Sequence, residues 1–167
     1  MDDLASLSAR IRRLEDHAAI SNLKARYAQL CDAKYHHGAL RPESELEVVA
    51  RRIADLFTED AVWDGGTRFG TSIGQVQIYE RFRKATFKYA IHFFMQPEIL
   101  IEGDNATCRW YLLEAATLLN SSAVWIAGTE DDHYQRVDEA WRISRMTVNL
   151  EFIAPVEQGW ERVNLMG

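Results

Sequence analysis

The order of patterns along the chain predicts an α+β domain, with about three N-terminal helices packed on the concave side of a curved, cone-shaped antiparallel sheet. Up to about residue 88, apolar side chains recur at three- and four-residue steps, the period of a helix face. From residue 90 to 153 the pattern changes to four strand-like runs divided by turn residues. Helices followed by long antiparallel strands exclude an alternating strand–helix crossover fold and leave helices layered on one face of a sheet. A length of 167 residues fits one domain over 1–167, and so one site.

Leu4, Leu7, Ile11 and Leu14 mark the first helix, a stripe that must pack on something. Asp16 can cap a second helical stretch with Ile20, Leu23, Tyr27 and Leu30 on one side and Lys24 and Arg26 off it, ended by Gly38 and Pro42. A helix from about Ser44 to Phe57 carries Leu46, Val49 and Ile53, and Thr58-Glu59-Asp60 breaks it. Ala61-Val62-Trp63 is a short strand, and Gln75 to Lys88 reads as a further helix with Val76, Tyr79, Phe82 and Phe87 inward. The long strands are Ala90–Glu102, Asn105–Leu119, Ala123–Val137 and Ala140–Ile153. Pro97 predicts a bulge or an edge position in the first of them.

The composition, 47% hydrophobic and 26% charged, is that of an ordered globular chain. A net charge of -6 argues against a nucleic-acid partner. The basic run Arg81, Arg83, Lys84 and Lys88 reads as a solvated helix face. Cys31 and Cys108 sit in apolar segments without metal or disulfide spacing and read as buried small hydrophobes. No signal-peptide pattern and no membrane-length apolar run occurs, so a cytoplasmic protein without a membrane partner is expected. His36-His37 reads as a solvated helix end, and His133 as a turn or strand start. No nucleophile elbow, phosphate loop or dinucleotide fingerprint is present, so the expected chemistry needs no cofactor and no metal.

Leu14-Glu15-Asp16 with Ala19-Ile20, "RYAQLCD" (26–32), "LFTEDAVWD" (56–64), Gly70 and Gly74, "IHFF" (91–94), "GDNATCRWYL" (103–112) and "YQRVDEAWRIS" (134–144) occur in an order that resembles the SnoaL-like branch of the nuclear transport factor 2-like superfamily. That branch has a cystatin-like fold and contains scytalone dehydratase, hexachlorocyclohexane dehydrochlorinase and bile-acid 7α-dehydratase. The likeness covers about residues 14–153, leaving an N-terminal helical extension and a C-terminal tail. It is greatest to the bile-acid enzyme, through the helix ending in Tyr27 and Asp32 and through "RWYL" followed by Glu114.

The resemblance implies the catalytic set. Asp32 would hydrogen-bond His92, fixing its tautomer and stabilising the imidazolium form. His92, which taken alone reads as a core histidine, becomes the group that removes a proton from carbon. Tyr27 matches a tyrosine that polarises a substrate carbonyl, although an ideal helix points residues five apart in different directions, and a core tyrosine is the other reading. Glu114, in an apolar strand, is either a second acid/base group of raised pKa or a rim glutamate paired with Arg142 or Arg145. Trp63, Phe94, Trp110, Leu112 and Trp125 are candidate walls for a small hydrophobic substrate, and Asn149 a candidate polar contact.

These parts imply a cofactor-independent lyase, a dehydratase-type elimination on a hydrophobic cyclic molecule, steroid-like or aromatic. Double-bond isomerisation needs nearly the same groups, and a non-catalytic small-ligand module remains a third reading. The resemblance also implies a homo-oligomer, trimer or dimer, formed through sheets, with Val124, Ile126, Ile143 and Met146 on the outward face.

Overall fold

In the computed structural model residues 2–157 are described; the remainder of the expected C-terminal tail lies outside them. Helix α1 (Asp2–Asp32) leads into a hairpin of β1 (Tyr35–His36) and β2 (Ala39–Leu40), then α2 (Glu43–Ala54), β3 (Phe57–Asp64), the short α3 (Gly66–Phe69), β4 (Thr71–Ile73) and α4 (Gly74–Phe82). Four long strands follow: β5 (Tyr89–Glu102), β6 (Asn105–Thr117), β7 (Ala123–Val137) and β8 (Ala140–Pro155). The main sheet runs β4-β3-β8-β7-β6-β5, antiparallel throughout except for the parallel pair β3–β8. The α+β architecture predicted from the pattern is therefore present, and the four long strands begin and end within two residues of their expected limits.

The helical half differs in detail. No break occurs at Asp16: its carboxylate accepts hydrogen bonds from Arg136 Nη2 (2.7 Å) and Trp141 Nε1 (2.9 Å), so it is satisfied by β7 and β8 instead of capping a helix. With no Gly or Pro nearby, the backbone continues as one helix. Leu4 and Leu14 remain 74% and 71% exposed and Leu7 and Ile11 49% and 48%, so the described residues leave most of the N-terminal stripe uncovered. Ile20, Leu23, Tyr27 and Leu30 form the buried stripe, against Ile53, Phe57, Phe82 and the inner face of the sheet. Lys24, expected off that stripe, is completely buried.

Helix α2 ends at Ala54 because the chain turns into the sheet: Leu56 O accepts from Ile143 N–H (2.9 Å) and Phe57 pairs with Ile143. Thr58-Glu59-Asp60 thus belongs to β3 and breaks no helix. Helix α4 starts at Gly74, which puts Ile78 and Phe82 inward and leaves Val76 in solvent, and it stops before Phe87. His36-His37 lies in the β1–β2 hairpin turn, with positive φ at His37 and Gly38, and not at a helix end. His133 sits well inside β7. Pro97 marks both features expected of it, since the β5–β6 register shifts between Met95 and Glu98 and β5 is an edge strand.

Strand alternation sorts side chains between the two faces. The inner face carries Ala90, His92 and Phe94 on β5, Trp110, Leu112, Glu114 and Ala116 on β6, and Val124, Ile126, Glu130, Asp132 and Tyr134 on β7. Val124, Ile126, Ile143 and Met146 are all buried, which corrects their assignment to the outward surface. That surface is formed instead by Phe93, Met95, Tyr111 and their neighbours, including Trp125.

Candidate active site

A pocket of about 700 Å³, counting the space at its mouth, opens between the end of α1, helix α4 and the inner face of the sheet. It is lined by His92, Glu114 and Glu130 from the sheet, by Tyr27, Cys31 and Lys34 from α1 and the turn after it, by Arg81 and Phe82 from α4, and by Trp63, Phe69 and Leu112 among others.

Asp32 is the last residue of α1, and its Oδ1 accepts from both the backbone N–H of His92 (3.1 Å) and the ring nitrogen Nδ1 (2.7 Å). The first bond docks the helix end onto β5. The second fixes the imidazole with Nδ1–H toward Asp32, so Nε2 is the nitrogen presented to the cavity. His92 and Glu114 face each other across β5 and β6, with Nε2 3.7 Å from Glu114 Oε2. Burial disfavours the imidazolium, but the hydrogen bond donated to Asp32 and the fields of Glu114, Asp32 and Glu130 outweigh it and raise the His92 pKa above 6.5.

Glu114 is 5% exposed, and its Oε1 has no hydrogen-bond partner among the described residues. Burial pushes its pKa up, opposed by His92 and reinforced by Glu130 and Asp32. Neither Arg142 nor Arg145 reaches it: Arg142 donates to Asp55 O, Arg145 lies 3.7 Å from Asp64 Oδ2, and β7 separates β8 from β6. The pairing of Glu114 with an arginine of β8 is thereby excluded. Tyr27 reaches the same pocket despite its angular offset from Asp32, because Asp32 meets the cavity through His92 and not directly. The Tyr27 hydroxyl accepts from Trp63 Nε1 (3.2 Å), and burial raises its pKa well above 10, which keeps it a proton-bearing donor.

Beneath the cavity lies a polar cluster absent from the sequence reading. The Lys24 ammonium donates to Glu130 Oε2 and, at 2.8 Å, to Asp132 Oδ2. Tyr134 O–H donates to the same Asp132 oxygen (2.7 Å) and accepts from Trp110 Nε1 (3.1 Å). Phe94 and Trp110, expected as pocket walls, surround this ammonium instead, with Lys24 Nζ 4.1 and 5.8 Å from their ring centroids. Of the expected walls, Trp63 and Leu112 line the cavity. Trp125 is on the other face of the sheet, in the phase opposite to Ile126, and cannot do so. Asn149 is also outside: exposed on β8, its amide donates to Asp131 Oδ2 (3.0 Å). Arg81 leaves the solvated face expected of it, laying its guanidinium carbon 4.2 Å over the Trp63 ring and donating from Nε to Ser72 Oγ (2.8 Å).

Among the described residues no group of three or more His, Cys, Asp or Glu is placed to hold a metal ion. Among the described residues no helix is long and apolar enough to cross a membrane.

A family model described as the SnoaL-like domain matches residues 48–147. No curated protein matches the chain by sequence. Among solved structures, it is similar to a nuclear transport factor 2-like protein with a cystatin-like fold from Novosphingobium aromaticivorans, at 26% identity and a TM-score of 0.72, over 90% of this chain and 91% of that one. A hexachlorocyclohexane dehydrochlorinase from Novosphingobium barchaimii superposes with a TM-score of 0.72 at 18% identity, over 88% and 94% of the two chains. A protein assigned as a scytalone dehydratase, from Novosphingobium aromaticivorans, gives 0.70 at 17% identity, over 86% and 89%.

Proposed function

This chain belongs to the SnoaL-like domain family, and from that premise we propose that it is a cofactor-independent lyase that eliminates water from a small hydrophobic cyclic molecule, steroid-like or aromatic, in the cytoplasm. The observation that carries the reading is the line Asp32–His92–Glu114, in which one imidazole is braced at Nδ1 and faces a buried carboxyl at Nε2. The similarity in fold to a dehydrochlorinase, which its name makes an eliminating enzyme, agrees with it.

In this scheme His92 Nε2 takes a proton from the carbon next to a substrate carbonyl, and the Asp32 carboxylate stabilises the imidazolium that forms. Tyr27 O–H donates to the carbonyl oxygen as negative charge develops there. Glu114, whose protonated form is favoured by burial, gives its proton to the departing hydroxyl on the next carbon, so a carbon–carbon double bond and water are formed. The imidazolium then returns its proton to Glu114 over the 3.7 Å between them, which restores both groups. Trp63 and Leu112 supply apolar walls. If the proton went back to another carbon, the same groups would move a double bond, so isomerisation is the second reading, favoured by the short His92–Glu114 separation.

Self-association through the outer sheet face, as a trimer or dimer, completes the proposal. Phe93, Met95 and Tyr111 are 44%, 42% and 51% exposed on that face, an apolar group of the kind that marks an interaction surface.

A metabolite screen of the wild type beside Asp32→Ala, His92→Ala and Glu114→Gln tests the reading. Loss of water from a cyclic substrate by the wild type, at least about 100-fold slower in the first two variants, is expected. Equal turnover by all four proteins would sink it.

A further inference from the structure

Two cations line the pocket without a carboxylate partner among the described residues. Lys34, two residues beyond Asp32, is 4% exposed; its Nζ donates to Lys84 O (3.1 Å) and lies 5.8 Å from the Phe82 ring centroid. An ammonium has three N–H donors, and this carbonyl is the one hydrogen-bond acceptor that the described residues offer it. Arg81 has Ser72 Oγ and the face of Trp63, and again no carboxylate. Other sequestered cations of this chain are neutralised: Lys24 by Glu130 and Asp132, Arg136 by Asp16 and Asp104. Burial lowers the pKa of both Lys34 and Arg81, relieved only weakly by Cys31 in the first case and Tyr27 in the second. A desolvated cation is costly until an anion meets it.

The lining is therefore polarised. Lys34 and Arg81 stand on the helical wall, His92, Glu114 and Glu130 on the sheet wall, and Trp63, Phe69 and Phe82 supply apolar surface between them. We infer that the pocket takes a small hydrophobic molecule bearing one carboxylate, seated by Lys34 and Arg81, with its reacting carbon toward His92. A guanidinium matches a carboxylate in shape as well as charge, and a single negative charge suits a cavity whose other wall is acidic better than a phosphate dianion does. The inference rests on the reading of this cavity as the substrate pocket and names the class of substrate.

Calorimetric binding of cyclohexanecarboxylate and of its methyl ester to the full chain at neutral pH tests it without any turnover. The carboxylate is expected to bind the wild type at least about tenfold more tightly than the ester. Lys34→Met and Arg81→Gln should each remove most of that preference, Lys34→Arg should keep it, and His92→Gln should keep it too. Thermal melting checks that each variant folds, and if Lys34→Met does not, Arg81→Gln carries the test. No carboxylate binding at millimolar concentration, an ester bound as tightly, a preference that survives the charge-removing substitutions, or its loss in His92→Gln would each overturn the inference. Failure of the elimination scheme would show in the metabolite screen and leave this preference intact.

Discussion

Asp32 Oδ1 holds His92 by two hydrogen bonds at once, one to the backbone N–H and one to ring Nδ1, so the contact that docks the end of α1 on β5 is also the one that orients the imidazole. A single carboxylate thus links the packing of the helix to the protonation of the base. The hydrogen bond it accepts from Nδ1, together with its charge, works against the cost of burying an imidazolium.

The activity should therefore have an acidic limb whose midpoint lies above 6.5, because His92 must be neutral to accept a proton and its folded pKa is raised. Asp32→Asn keeps the shape but removes the charge, and with it the contributions of Asp32 that oppose burial. The limb should move to lower pH while kcat/KM falls by about 100-fold or more. The same shift has a sign for stability: the His92 contribution is complete below 6.5 and is lost as pH rises through the raised folded value. Melting of the wild type against His92→Gln between pH 5 and about 9 measures it. A rate profile that does not move in Asp32→Asn would separate Asp32 from the titration of His92.

Lys24 anchors two acids in the dry interior, and Lys24→Met should be severe. Removing one partner of a buried ion pair typically costs about 3–5 kcal/mol, since the remaining charge has no water and no partner. Here Glu130 and Asp132 would be left together. Glu130 already has a raised pKa, from burial first and from Asp132, with Lys24 pulling it down. With Lys24 gone it should protonate more readily, so the variant should be least stable in alkaline buffer and recover as the pH falls, because an acid of raised folded pKa takes up its proton in the folded state first. Chemical denaturation at several pH values reads this, and a variant as stable as the wild type at pH 8 would contradict it.

Much of this arrangement was legible in the sequence. The long strands follow from alternation and turn residues, which are local signals, and Pro97 announced its bulge for steric reasons. The helical half was harder because its boundaries depend on tertiary partners: only the reach of Arg136 and Trp141 to Asp16 shows why α1 runs through, and only the parallel pairing of Phe57 with Ile143 shows where α2 must end. The buried Lys24–Glu130–Asp132 cluster did leave a trace. Lys24 falls between Ile20 and Tyr27 on the core stripe, and Glu130 and Asp132 share the phase of Ile126 and Tyr134. Hydrophobicity alone hides such a cluster, since charged residues on core faces are seen only when faces are assigned first and polarity second. Asn149 and Trp125 were misplaced for the converse reason. The β7–β8 register shifts at bulges on either side of Asn149, and a shift of one residue reverses the face it takes, whereas Trp125 faces out because it alternates with the buried Val124 and Ile126.

Gly128 sits at one of those bulges, and a Cβ there would come 2.1 Å from Asn149 O and 3.0 Å from Leu150 Cα. Both are backbone atoms held in the ladder, so no rotamer change can relieve the overlap. Gly128→Ala should cost about 1–3 kcal/mol, the range for overpacking. The urea midpoint should fall with an unchanged slope, and an unchanged midpoint would mean that β7 and β8 separate more freely than this register implies.

The outer sheet face gives the last expectation. Phe93 and Leu113 pair across β5 and β6, as do Met95 and Tyr111, so the exposed aromatic and aliphatic groups form a continuous patch on the convex side. Replacing Phe93 and Tyr111 together by Asp puts two charges into that patch without touching the inner face, where His92 and Leu112 alternate with them. Light scattering at micromolar concentration should find an oligomer for the wild type and a monomer for the double variant, with the variant's melting transition still cooperative. A monomeric wild type would remove self-association from the proposal, and an oligomer untouched by both charges would move its interface to another surface, for which the exposed Leu4, Leu7, Ile11 and Leu14 stripe of α1 is the next apolar candidate.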